Sequence, residues 1–228
     1  MKQTLVDVFW RQVEAEPERT AILHKVGDDY VPVAWAEQGR LVEMAAGGLM
    51  SLGVRKGDKV AILSHSRPHW TWADLAILSS GAVTVPIFPT AAPDEMHFLL
   101  EHSEAVGVFA QDLEQLKRLL VAGKLPDRLK FAVLFDDRDG TGSLPVRLWS
   151  WERLSQEGKS FLASHPGVLK DRLARIEPED LATIVYTSGT TGLPKGAMLL
   201  HRNIYAACQA VSIHLKFRRE EDVAFCFL

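Results

Sequence analysis

A chain of 228 residues, 47% hydrophobic and 24% charged, carries enough apolar material for one large domain or two small ones, and this balance excludes a disordered or fibrous protein. The formal net charge of -3 leaves no basic excess to neutralise a phosphate backbone, and the densest charge run, KFRREED at 216–222, mixes signs, so nucleic acid is not an expected partner. No stretch approaches the ~20 consecutive apolar residues of a transmembrane segment, and the charges scattered through MKQTLVDVFWRQVEAEPE are unlike a secretory leader, which points to the cytoplasm or the periphery of a membrane.

Thr4 is placed to cap a helix whose apolar face is Leu5, Val8, Phe9 and Val13, with Pro17 marking its end. TAILHKV and YVPVAW flank Gly27-Asp28-Asp29 in the pattern of a short hairpin. Leu41, Met44, Ala45, Leu49 and Leu52 then recur at helical spacing up to Gly53, a natural helix stop. The continuous apolar run from Val60 to Leu63 reads as a buried strand.

The same grammar repeats to residue 135: a helix from Trp70 to Ser80, a strand at AVTVPI, a helix after Pro93, a strand at AVGVFA, a helix through Leu120 and a strand at KFAVLF. Such alternation predicts an α/β protein with largely parallel sheets flanked by helices, although periodicity leaves room for antiparallel pairs. DDRDGTGSLP at 136–145 is a solvated turn; a calcium loop turning at Gly140 would need a carboxylate where Phe135 stands. Short helices are expected at Trp149 to Leu154 and Val168 to Ile176, followed by a break at Glu177-Pro178-Glu179-Asp180. Cys208 and Cys226 lie in apolar surroundings without CxxC spacing and are expected to be buried free thiols.

The chemistry concentrates after the β-rich run LATIVYT. Tyr186 to Gly196 reads YTSGTTGLPKG and packs three glycines, four hydroxyl residues (Thr187, Ser188, Thr190, Thr191) and Lys195 into eleven positions. Glycines let the backbone turn tightly and aim successive N–H groups at a ligand; hydroxyls add donors and the lysine adds positive charge. Together they describe a polyphosphate cradle. The common ATPase loop needs Gly-Lys-Ser/Thr four residues after its first glycine, and here Pro194 precedes Lys195 and Gly196 follows it, so this is a different phosphate loop.

YTSGTTGLPKG closely resembles the phosphate-binding signature of the adenylate-forming superfamily: acyl-CoA synthetases, firefly-type luciferases and peptide-synthetase adenylation domains. The resemblance continues through WAEQGRLVEMAAGGLMSLGVRKGDKVAIL, SRPHWTWADLAILSSGAVTVPIFPT, PDEMHFLLEHSEAVGVFA and EDVAFCFL, and RPHW, GAVTVPIFPT and MLLHRN are most similar to the long-chain fatty acid–CoA ligases. It departs from those ligases at Leu200, where threonine is frequent, at Ser66 and His69, usually Asn and Glu, and at Phe88, usually tyrosine.

The resemblance implies that a carboxylate attacks the α-phosphate of ATP to give acyl-AMP, and that coenzyme A then displaces AMP. Thr187, Ser188, Gly189, Thr190, Thr191 and Gly192 would hold the β- and γ-phosphates. Lys195 and Thr187 would act on the reacting polyphosphate, with Thr187 offering its hydroxyl to Mg²⁺. His201 would be a site-wall or capping residue, or a helix-start histidine bonded to backbone. Trp70 and Trp72 would line an acyl channel or pack in the core.

The family's later motifs, a glutamate for Mg²⁺, a ribose-gripping aspartate, a hinge and a catalytic lysine in a small C-terminal domain, are not found. Residues 1–228 are therefore expected to be the N-terminal portion of the AMP-binding domain, ending inside a strand pattern and inactive alone, with exposed sheet edges that favour self-association. The alternatives are a short non-catalytic nucleotide-binding module, or a ligase for another carboxylate.

Overall fold

A computed structural model describes residues 2–121, 123–136, 144–187, 192–215 and 222–223. Helix α1 (Leu5–Ala15) begins where Thr4 accepts the Asp7 amide, and it buries Val6 and Phe9. Strands β1 (Thr20–Val26) and β2 (Asp29–Ala34) form a separate antiparallel hairpin turning at Gly27, whose φ of +62° favours glycine. Helix α2 (Trp35–Ser51) follows.

The centre is a seven-stranded sheet. Strand β3 (Lys59–Leu63) leads through helix α3 (Pro68–Ser79) to β4 (Val83–Ile87), and helix α4 (Pro93–His102) leads on to β5 (Gly107–Ala110). After the short helix α5 (Leu113–Lys117) come β6 (Phe131–Leu134), β7 (Arg147–Ser150), helix α6 (Trp151–Ser164), helix α7 (Val168–Ala174), β8 (Leu181–Thr187), β9 (Lys195–Leu200) and helix α8 (His201–Leu215). The sheet order is β7-β6-β5-β3-β4-β8-β9, parallel except for the β8–β9 pair. The antiparallel pair that periodicity left open is thus the one carrying the glycine-rich run.

The continuous apolar runs are explained by burial on both faces. In β3, Val60 and Ile62 join one core with α2, α3 and α6, while Ala61 and Leu63 join a second core with α4 and α5. The same alternation runs through β6, with Phe131 and Val133 on the first side and Ala132 and Leu134 on the second. Layers of helices on each face make the predicted α/β class correct.

Two expectations need correction. Trp149 lies in a strand, not a helix: residues 147–150 pair in parallel with 131–134, a segment too short for its period to be read. Ser150 then caps α6 by accepting the Arg153 amide, and this helix runs ten residues past Leu154 because Gly158 lets it sit against α2. Cys208 is exposed, since α8 buries only His201 among its described residues, and Cys226 lies outside the described residues. Most of the 136–145 loop also lies outside them, though Asp136 is seen to accept two hydrogen bonds from Arg67, at 2.7 and 2.9 Å. No described helix is long and apolar enough to cross a membrane.

Candidate functional site

Strand β8 enters the sheet beside β4 at one register pair, Thr84 with Thr183, where Thr183 Oγ1 also donates to the Thr84 carbonyl at 2.8 Å. From there it is held by β9: Ile184 faces Met198, Tyr186 faces Gly196, and Thr187 faces Lys195. The described ends of the YTSGTTGLPKG run are therefore paired strands of a β-hairpin, with Thr187 and Lys195 directly opposite each other at its mouth. Both are exposed, and among the described residues Lys195 has no carboxylate partner. Ser188, Gly189, Thr190 and Thr191 lie outside the described residues.

Glycine is demanded at both described positions of the returning arm. Gly192 has φ +101°, a conformation L side chains rarely adopt. A Cβ on Gly196 would lie 2.8 Å from Ile184 Cγ2 and 3.3 Å from Tyr186 Cζ, so the bare backbone lets β9 close on the tyrosine ring. The hydroxyl of that ring lies 2.7 Å from His102 Nδ1. Burial raises the Tyr186 phenol above its ordinary pKa and keeps it neutral.

His201 stands at the far end of the hairpin. It follows Leu200, which pairs with Leu181, so about six strand residues, ~20 Å, separate it from the loop mouth. The ring is buried, its Nδ1 accepts the Leu5 amide at 3.4 Å, and its own amide donates to the Asp180 carbonyl. Burial lowers its pKa to about 4, with Lys56 adding to the effect and Asp180 opposing it. A neutral ring is what the Leu5 amide requires. The 177–180 break serves the same corner: Asp180 pairs with Lys56 at 2.6 Å and accepts the Glu177 amide, and Arg202 N–H donates to Pro178.

Two further features gave no sequence signal, because each depends on how α3, α4 and the sheet strands pack together. The His102–Tyr186 contact spans 84 residues. Asp74 accepts the Thr84 hydroxyl at 2.6 Å and is one of the residues that line a small, mostly apolar cavity of about 190 Å³ with Trp70, Thr183, Val185 and Ile204. Desolvation raises Asp74 to about 6, partly offset by the Thr84 bond. Trp72 packs among His69, Trp151 and neighbouring core residues, while Trp70 is only partly buried.

The structure is an α/β sheet that carries a glycine-rich, lysine-bearing hairpin, and comparison with known proteins names the family. The model of the family described as "AMP-binding enzyme" matches residues 9–228, and the chain belongs to that family. It is 37% identical over 190 residues to the long-chain-fatty-acid–CoA ligase FadD15 of Mycobacterium bovis, covering 83% of this chain and 30% of that protein. It is 32% identical over 225 residues to the peroxisomal long chain acyl-CoA synthetase 7 of Arabidopsis thaliana, covering 94% of this chain and 31% of the relative. The chain therefore spans about 30% of the length of these curated relatives.

Solved structures agree on the fold. A fatty acyl-adenylate ligase from L. pneumophila, in complex with acyl adenylate and pyrophosphate, matches with a TM-score of 0.70 at 20% identity, covering 96% of this chain and 34% of that one. A putative long-chain-fatty-acid CoA ligase from Rhodopseudomonas palustris also gives 0.70, at 24% identity, covering 94% and 49%.

Proposed function

We propose that this chain supplies the ATP phosphate-binding part of a long-chain fatty acid–CoA ligase that forms acyl-AMP and then acyl-CoA, and that it does not turn over alone. The observation that carries the reading is the register of the hairpin, which sets Thr187 and Lys195 directly opposite each other where the strands end. The long-chain ligases among the relatives supply the substrate class.

The donor set fits a polyphosphate. Thr187 and Lys195 are exposed, Lys195 has no carboxylate partner among the described residues, and the run between them is rich in hydroxyls and glycine in sequence. In this reading Lys195 and the loop from Thr187 to Gly192 hold the β- and γ-phosphates. As the carboxylate attacks the α-phosphate, negative charge grows on the departing pyrophosphate, and fixed donors there lower the barrier because they bind that charge more tightly than the ground state.

Mg²⁺ would neutralise phosphate oxygens, with Thr187 contributing its hydroxyl. Among the described residues no three His, Cys, Asp or Glu are gathered to hold a metal, so phosphate oxygens would be its main ligands here. Coenzyme A enters the second step, for which no residue of this chain is assigned. His201 is given the backbone-bonding role, because its nitrogen is already engaged by Leu5.

Calorimetry with Mg²⁺-ATP tests the reading. Lys195→Ala removes a charge-assisted contact and is expected to weaken binding at least about tenfold. Equal affinity in the two proteins would remove Lys195 from the site. Acyl-adenylate formed from ATP and a long-chain fatty acid by the purified chain would contradict its inactivity.

A further inference from the structure

Beyond Thr183, β8 leaves its pairing with β4, and the loop end of the hairpin rests on the layer formed by α4. The polar tie between them is His102, at the last position of α4. Its Nδ1 lies 2.7 Å from the Tyr186 hydroxyl, and the two rings meet nearly perpendicular with centroids 5.6 Å apart. Phe98, one helical turn earlier, packs against the imidazole at 5.2 Å and limits its swing. Tyr186 in turn fills the space that Gly196 leaves open and directly precedes Thr187.

Resting on the phosphate-loop reading above, we propose that His102 is a positioning residue for the loop: it fixes the Tyr186 ring, and through it the hairpin mouth where Thr187 and Lys195 face each other. The imidazole has no part in the chemistry. An unprotonated Nδ1 accepts the phenol hydrogen, and an Nδ1–H donates to the phenol oxygen, so either tautomer keeps the tie. What it contributes is preorganisation: without it, phosphate binding must also restrain the tyrosine and the strand ends.

The test is Mg²⁺-ATP calorimetry on the whole chain with His102→Leu, Tyr186→Phe, the double variant and His102→Gln, using Lys195→Ala as control. His102→Leu and Tyr186→Phe are each expected to weaken binding by about two- to tenfold, the range of one hydrogen bond. The double variant should be no worse than either single one, since both remove the same contact. His102→Gln, whose amide can reach the phenol, should restore most of the affinity.

Unchanged affinity in His102→Leu and Tyr186→Phe, with binding still lost in Lys195→Ala, would overturn the positioning role and leave the loop reading intact. A chain that binds no nucleotide would count against the loop reading instead. The tie is then read by amide exchange at residues 195–198: faster exchange in His102→Leu, reversed in His102→Gln, supports it, and unchanged exchange overturns it.

Discussion

His201 and Asp74 are driven in opposite directions by the same cause. Burial holds the His201 ring neutral down to about 4 against an ordinary value of 6.5. Between those values the unfolded chain binds a proton that the folded chain refuses, so the stability His201 contributes is complete above about 6.5 and is lost as pH falls towards 4, a span of about 3 kcal/mol at most. Asp74 rises from 3.8 to about 6, so its contribution is complete below 3.8 and is lost as pH rises through 6. The two windows overlap with opposite sign and flatten the wild-type profile between them. Urea unfolding at pH 4.5 and 7 should show Asp74→Asn gaining on wild type at the higher pH and His201→Gln losing most there. Profiles parallel to wild type would show that neither group is displaced from its ordinary titration.

At the scale of elements, the helix pair α2–α6 depends on glycines. A Cβ on Gly158 would sit 1.8 Å from the Met44 carbonyl oxygen, and one on Gly48 would sit 2.5 Å from the Leu154 carbonyl. Backbone lies against backbone, so no side chain can yield. Gly158→Ala should cost about 2–4 kcal/mol in denaturant unfolding, despite alanine's better helix propensity. A neutral or stabilising result would mean that the helices part freely.

This contact was not legible in the sequence, where residues 149–154 look like a short isolated helix and nothing announces that Gly158 meets Met44. The strands β3 to β6 were legible, because burial on both faces writes an unbroken apolar run. Strand β7 was not, since four residues against one neighbour, ending in a capping serine, carry no period. Strand β9 was hidden for another reason: AMLL reads equally well as the approach to a helix, and only its pairing with 181–187 makes it a strand. The glycine-rich run was legible by composition alone, yet the pairing of its flanking strands and the tie from Tyr186 to His102 were not, because both depend on residues brought together by the sheet.

The whole molecule carries its glycine-rich hairpin at one margin. Strands β7 to β4 form a parallel platform packed by helices on both faces, and among the described residues the polar links of β8, β9 and α8 to the rest include Thr183 to Thr84, Tyr186 to His102, Leu5 to His201 and Lys56 to Asp180. The exposed apolar residues Met198, Val211, Ile213 and Leu215 all belong to that margin, in a chain that spans about 30% of its curated relatives' length. A nucleotide recognised by the hairpin should therefore perturb the margin and leave the platform unchanged. The most direct measurement is an amide chemical-shift titration of the whole chain with Mg²⁺-ATP. Shifts centred on Thr187, Gly192 and Lys195 and fading by β3 and β6 are the predicted result. A footprint centred elsewhere, with the hairpin amides unmoved at saturation, would contradict the assignment of YTSGTTGLPKG as the phosphate site.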